Sequence, residues 1–207
     1  MLFNILLAGL ASLVIWAVFY EVPPAKGLGD LVRLAFFHIP AAWVSVLAFL
    51  LSAWWSIRYL QKRVLSFDAK SSRSAALGLI FCIFATISGA IFAKLTWGAY
   101  WNWDPRQITI FILLLVYGAY FALRSAIAEE ELRAKLSAVY ALFAGAAMPF
   151  LVFIIPRYYA SLHPEPVLNA SGHIDMDPVM LTVLLAALLV MTLLFLRLLF
   201  WKERSLR

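Results

Sequence analysis

Cysteine is almost absent from this chain of 207 residues, in which Cys82 is the only one. Thiol–disulfide exchange needs one thiol that attacks and a second that resolves the mixed disulfide, so a single cysteine cannot cycle in this way. Cys82 also lies in the middle of a long apolar segment. The sequence therefore argues against a thiol oxidoreductase.

Charge is scarce as well, since Asp, Glu, Lys and Arg make up 14% of the residues. No Asp, Glu or His falls inside the apolar segments given below, whereas proton relays and ion-coupled pumps usually keep such groups at membrane depth. A glycine-rich phosphate-binding loop is missing too, so nucleotide-driven work would require another subunit. These absences argue against an ion-coupled transporter and against a chain that hydrolyses nucleotides itself.

Apolar residues are abundant: 65% of the chain is hydrophobic and the mean hydropathy is +0.91. A transmembrane helix needs about 20 mostly apolar residues, and six segments meet this requirement. They are residues 2–20, 41–60, 74–94, 107–124, 135–155 and 178–200. We predict an all-α integral membrane bundle of six helices that forms one domain over residues 1–207. The first segment should be a retained helix, because it lacks the basic start and the cleavage site of a signal peptide.

The distribution of Lys and Arg predicts the orientation, because cytoplasmic loops carry the positive excess. One set of helix ends and loops holds most of these residues, namely Arg58, Lys62, Arg63, Lys70, Arg73, Arg124, Arg133, Lys135, Arg197, Lys202, Arg204 and Arg207. The opposite set holds Lys26, Arg33, Lys94, Arg106 and Arg157. Both termini should therefore be cytoplasmic. The net charge of +6 reflects this bias and gives no support for nucleic-acid binding.

An aromatic connection, "TWGAYWNWDPRQ", lies on the predicted outer side. Trp97, Tyr100, Trp101 and Asp104 follow the i, i+3, i+4, i+7 spacing of one helix face, which predicts a short interfacial helix with three rings in line. Trp103 should point elsewhere. An aromatic belt at the membrane surface explains one or two such rings per helix end, but it explains four in seven residues poorly.

The end of this connection, Asp104 followed by Pro105, is typical of a helix start. Asp accepts a hydrogen bond from a backbone N–H as the N-cap, and Pro suits the first helical position. We therefore interpret Asp104 as primarily structural.

Two histidines share the predicted outer side with the aromatic connection. His38, in "FFHIPAAW", comes just before Pro40, which should open the second span, and His163, in "YYASLHPEP", lies in the last outer loop. A lone loop histidine is usually a solvated surface residue. Two imidazoles beside aromatic runs instead favour haem, whose iron takes axial nitrogen ligands and whose ring stacks on aromatic side chains. His173 has no aromatic neighbours and is interpreted as a polar loop residue.

The connection "WGAYWNWDPR" resembles the tryptophan-rich WWD signature of haem-handling proteins of cytochrome c maturation. The segment "FHIPAAW" is similar to the H-V-P-A-A-W segment of one branch, the CcmC family, and "LHPEP" falls where that family has its second outer His. The resemblance covers the whole chain, including the six spans and the cytoplasmic N-terminus. Tyr100 stands where the common pattern has Trp, and Pro105 gives an ending closer to the larger relatives CcmF and CcsA.

The resemblance implies that this chain binds haem b and presents it at the periplasmic face of the bacterial inner membrane for c-type cytochrome biogenesis. The implied axial iron ligands are His38 and His163. The implied WWD site consists of Trp97, Gly98, Tyr100, Trp101, Trp103 and Asp104. The implied partners are the haem chaperone CcmE, the transporter subunits CcmA and CcmB, and the small membrane protein CcmD. No residue is assigned a catalytic role, so the chain is expected to be a delivery factor rather than a conventional enzyme.

Arg106 and Arg157 are candidates to pair with the haem propionates, because a guanidinium matches a carboxylate with two hydrogen bonds. For Arg157, anchoring at the membrane interface is an equally open interpretation. Three other functions are also open: a haem-containing electron-transfer subunit, a component of a larger type of cytochrome c haem lyase, and a scaffold without haem whose aromatic residues bind a partner helix.

Overall fold

The structure, a computed structural model, describes residues 1–163 and 174–201. Its α-helices are α1 (Leu2–Tyr20), α2 (Ala35–Lys62), α3 (Leu65–Trp97), α4 (Pro105–Ala126), α5 (Glu130–Pro149), α6 (Ile155–Tyr158) and α7 (Pro178–Leu199). A 3₁₀ helix, Asp30–Leu34, leads into α2, and a π-helical turn, Phe150–Ile154, joins α5 to α6. Six helical runs are long and apolar enough to cross a membrane. The prediction of an all-α bundle with six spans is confirmed.

The second span begins earlier than predicted. Helix α2 starts at Ala35, so His38 lies in its first turns and Pro40 lies inside the helix instead of opening it. Proline fixes φ near the helical value and costs one backbone hydrogen bond. Here a 3₁₀ helix directly precedes α2, so the backbone is already helical before Pro40 is reached. The predictions that Pro40 opens the span and that His38 lies in a loop are both wrong.

Helices α2 and α3 form a tightly packed pair because small and hydroxyl-bearing residues lie between them. The hydroxyl of Ser74 donates to the carbonyl of Ala48 at 2.7 Å, and that of Ser71 donates to the carbonyl of Ser52 at 2.9 Å. A Cβ added at Gly78 would lie 2.6 Å from the ring of Phe49. Such interfaces are typical of membrane helices, where close backbone approach and interhelical hydrogen bonds replace a hydrophobic driving force. This pairing fixes the position of α3 relative to the start of α2.

A buried ion pair joins α3 to α4. The guanidinium of Arg124 donates to both carboxylate oxygens of Asp68, at 2.7 and 2.9 Å, and the two side chains are 13% and 10% exposed. Asp68 is near the start of α3 and Arg124 near the end of α4, so the pair lies at one end of this helical hairpin. Earlier in α4, the ring of Tyr117 stacks on that of Phe49 from α2, with centroids 3.5 Å apart. Because α3 begins at Leu65, Asp68 lies within the helix, which the sequence patterns did not predict.

The predicted short aromatic helix is not formed. Helix α3 continues to Trp97 and ends at Gly98, whose φ of +83° is the left-handed conformation that glycine adopts readily at a helix end. No helix follows until Pro105, and Trp103 has a φ of +56°, which cannot continue a right-handed helix. The rings of this connection therefore do not share one helix face.

Candidate functional site

Asp104 is the central residue of the connection between α3 and α4. It caps α4 as predicted, since its Oδ1 accepts the backbone N–H of Arg106 at 2.9 Å. The same carboxylate also accepts the hydroxyl of Ser161 and, at 2.7 Å, the backbone N–H of Leu162. Its Oδ1 lies 2.9 Å from Nδ1 of His163, and the Asp104 side chain is 1% exposed. The interpretation of Asp104 as primarily structural is therefore incomplete, because the cap residue also holds a candidate ligand.

The charges of this pair follow from its surroundings. Burial alone would raise the pKa of Asp104, but the backbone N–H groups of Leu162 and Arg106 and the nearby His163 outweigh it and hold that pKa below its usual value. Burial lowers the pKa of His163, Asp104 opposes this shift, and the charge of Arg106 adds to it. Near neutral pH the pair is thus a carboxylate and a neutral imidazole. Because an ionised carboxylate only accepts, Nδ1 of His163 carries the proton and Nε2 has the lone pair.

His38 is oriented by helix α3 in a similar way. Its Nδ1 lies 3.1 Å from Oγ of Ser88, whose own proton is donated to the backbone carbonyl of Phe84 at 2.7 Å. The hydroxyl can then only accept from Nδ1–H, which again leaves the lone pair on Nε2. The imidazole packs on Gly89, where an added Cβ would lie 2.8 Å from the ring atom Cε1.

The two imidazoles share one region of the molecule. Both contact the C-terminal part of α3, His38 through Ser88 and Gly89 and His163 through Trp97. Within residues 1–163 and 174–201, each ring makes a hydrogen bond to a side chain of another segment through Nδ1. Both rings are therefore held with the lone pair of Nε2 directed away from the group that orients them.

Aromatic rings surround this region. Trp97, the last residue of α3, makes an edge-to-face contact with the imidazole of His163, with centroids 4.9 Å apart. Trp101 makes edge-to-face contacts with Trp103, at 6.0 Å, and with Phe111, at 6.1 Å. Trp103 is 74% exposed, although its backbone adopts a conformation that is unfavourable for a bulky residue. The connection thus exposes the rings of Trp103 and Tyr100, while Trp97 packs against a histidine.

The other predicted site residues, Gly98, Tyr100, Arg106 and Arg157, lie in different surroundings. Gly98 ends α3, and its carbonyl accepts from the ammonium of Lys94 at 2.9 Å. Tyr100 is 60% exposed. Arg106 lies in the first turn of α4, close enough for its charge to act on His163. Arg157 is exposed on α6, where it donates to the carbonyl of Phe153 at 3.0 Å. His173 lies outside the described residues.

Three polar or small residues of the site were missed by the sequence patterns: Ser88, Gly89 and Ser161. Ser88 and Gly89 lie within an apolar helix, about 50 residues from the histidine that they contact. Ser161 precedes His163 by two residues but acts through Asp104, 57 positions away. No local pattern marks such residues, because their role depends on which helices pack together.

This donor set fits a haem. A porphyrin supplies four of the iron ligands, so the protein needs to provide only one or two axial groups, and imidazole nitrogen is one of the usual ones. Here two imidazoles each carry the lone pair on Nε2, and one of them, His163, packs against the indole ring of Trp97. The fold and this site define a helical membrane protein that gathers two histidines, an aspartate and a group of aromatic rings at one end of its bundle.

The particular family follows from comparison with known sequences. The family described as CcmC, heme exporter protein C, matches residues 1–206. The chain therefore belongs to the CcmC family.

The sequence identities to individual relatives are low. Heme exporter protein C of Bradyrhizobium diazoefficiens is 29% identical over 167 residues, which are 81% of this chain and 63% of the relative. The protein of the same name from Rhodobacter capsulatus is 28% identical over 163 residues, 79% of this chain and 64% of the relative. The chain thus spans less than two thirds of the length of these two relatives. The cytochrome c biogenesis protein CcsA of Daucus carota is 34% identical over 104 residues, half of this chain.

Proposed function

We propose that this protein binds haem b between His38 and His163 and presents it for c-type cytochrome biogenesis. The observation that carries this proposal is the matched state of the two imidazoles. Each has Nδ1 held by a side chain from a distant segment, which leaves the lone pair on Nε2. Membership of the CcmC family and the names of its relatives, heme exporter protein C, support the same function.

The residues of this chain would act by positioning. The haem, when bound, supplies the iron and the reactive vinyl edge. His38 and His163 would hold the iron through Nε2, while Trp97 and Trp101 would restrict the tilt of the ring and Trp103 would offer an exposed indole. Holding a reactant in one orientation can replace acid–base chemistry as the main contribution to a transfer step.

We assign the propionates to Arg106 in preference to Arg157. Arg106 begins α4 beside Asp104 and acts electrostatically on His163, so its charge is already at the site. Arg157 lies over its own helix, 5.9 Å from the ring of Phe153, which fits interfacial anchoring. Gly98 contributes by ending α3, which places Trp97 at the site end of the helix.

We also propose that the site faces the periplasm across a bacterial inner membrane and that both termini are cytoplasmic, because Lys and Arg are concentrated in the opposite loops. A reporter fused after Arg207 should then report the cytoplasm, and one inserted near Asn169 should report the outer side. An outward C-terminus would contradict this orientation.

The expected partners are CcmE, CcmA, CcmB and CcmD.

Transfer of haem tests the function directly. The detergent-solubilised protein should show a bis-imidazole haem spectrum when oxidised and when reduced, and mixing it with the chaperone CcmE should move haem covalently onto the chaperone. A haem spectrum without transfer would favour an electron-transfer subunit, and the position of His38 inside α2 strengthens that alternative. Absence of any haem spectrum would favour a scaffold. Transfer straight to an apocytochrome would favour a haem lyase component, as the partial similarity to CcsA would suggest.

A further inference from the structure

The two candidate ligands differ in what holds them. His163 is oriented by Asp104, whose carboxylate is almost completely buried and receives hydrogen bonds from the backbone N–H groups of Arg106 and Leu162 and from the hydroxyl of Ser161. These contacts join the start of α4 to the segment that carries His163. The carboxylate is therefore fixed and cannot turn away from the imidazole.

His38, in contrast, is oriented by a neutral group. The hydroxyl of Ser88 accepts from Nδ1 at 3.1 Å, and it donates its own proton to the carbonyl of Phe84. A hydrogen bond to an ionised acceptor is roughly twice as strong as one between neutral groups. The carboxylate partner also makes an imidazole a more basic ligand through Nε2.

We propose that the two axial ligands are inequivalent: Asp104 is a positioning residue that makes His163 the anchored ligand, and His38 is the ligand that leaves when haem is passed on. This inference rests on the proposed function. When the iron bond of His38 breaks, the electron pair returns to Nε2 and the proton stays on Nδ1, hydrogen-bonded to Ser88. The exchange needs no oxidant, reductant or proton donor.

Carbon monoxide tests which ligand leaves, because it binds reduced haem iron in place of the weaker axial ligand. Resonance Raman spectra of the carbon monoxide adducts would be compared for the haem-loaded wild-type protein, His38→Ala and His163→Ala. We expect the wild-type adduct to have the same iron–carbon stretching frequency as the His38→Ala adduct, since both would keep His163 opposite carbon monoxide. Agreement with the His163→Ala adduct instead would overturn the inference.

Asp104→Asn tests the positioning role, with Asp177→Asn as a matched control. Asp177 is also an Asp–Pro cap, accepting the backbone N–H groups of Val179 and Met180 at the start of α7, and neither His38 nor His163 is among its partners. Asn keeps a capping oxygen but removes the charge. We expect Asp104→Asn to lower haem affinity about 10- to 100-fold and to shift the iron–carbon frequency, while Asp177→Asn changes neither. Equal behaviour of the two variants would refute a role beyond capping.

The haem-free protein provides a separate measurement. Nitrogen-15 NMR should show His163 protonated on Nδ1, with the Nδ1–H proton strongly downfield beside the carboxylate and shifted upfield in Asp104→Asn. A His163 protonated on Nε2 in the wild-type protein would overturn the positioning role even if haem binds. Failure of the wild-type protein to bind haem, with the expected NMR result, would instead reject the proposed function and with it the assignment of His38 as the leaving ligand.

Discussion

Replacing both His38 and His163 with Ala should abolish the bis-imidazole haem spectrum, because each is proposed to supply one Nε2 lone pair and no other histidine among the described residues is available. Either single variant should shift the spectrum to that of a haem with one protein imidazole. Visible absorption of the oxidised and reduced protein measures both effects. His173→Ala serves as the control and should leave the spectrum unchanged. A normal spectrum in the double variant would rule out these ligands.

A change beside His38 can disturb the same bond without removing the ligand. In Gly89→Ala the new methyl group would lie 2.8 Å from Cε1 of His38, so the imidazole must move. Gly118→Ala is the matched control, since nothing lies within 4 Å of a Cβ added there in helix α4. Both changes improve helix propensity, by up to about 1 kcal/mol. We therefore expect only Gly89→Ala to lose haem, even though neither variant should unfold.

The second large effect is expected at the ion pair between α3 and α4. Asp68→Ala would leave the guanidinium of Arg124 buried without its carboxylate partner. Removing one member of a buried pair typically costs about 3–5 kcal/mol, because the remaining charge is desolvated and uncompensated. Thermal unfolding in detergent should show a correspondingly large drop in stability. The variant should lose stability without a direct effect on the haem site, because this pair lies at the opposite end of α3 and α4 from Trp97 and Asp104.

An exposed pair on the same chain gives the comparison. Asp30 and Arg33 form an ion pair at 3.0 Å in which the Asp30 side chain is 67% exposed. Exposed pairs contribute only about 0–1 kcal/mol, so Asp30→Ala should change stability little. Replacing Asp68 and Arg124 together with Leu should recover most of the loss, since no buried charge remains. A double variant as unstable as Asp68→Ala would show that the loss comes from packing and not from charge.

Features that depend only on neighbouring residues could be predicted from the amino-acid sequence. Six apolar runs are each long enough for a membrane helix, and the backbone hydrogen bonds of a helix are satisfied within the run itself. The cap at Asp104 is equally local, because Asp accepts from the N–H two residues later and Pro105 fits the first turn. The end of α3 could also have been read locally, since Gly98 is a typical left-handed cap. The helical spacing of the aromatic residues wrongly predicted a short helix, because Gly98 ends the helix within that stretch.

The groups that orient the two histidines could be identified only from the packing of the helices. His163 meets Asp104 across 59 positions, and His38 meets Ser88 across 50. Such contacts arise from helix packing: the small residues between α2 and α3 bring Ser88 to His38, and the chain after α6 brings His163 to the start of α4. Spacing within one helix constrains residues three or four positions apart, and it carries no information about a partner on another element. The sequence could therefore indicate both histidines as candidate ligands, whereas the difference between an anionic and a neutral partner required the packed helices.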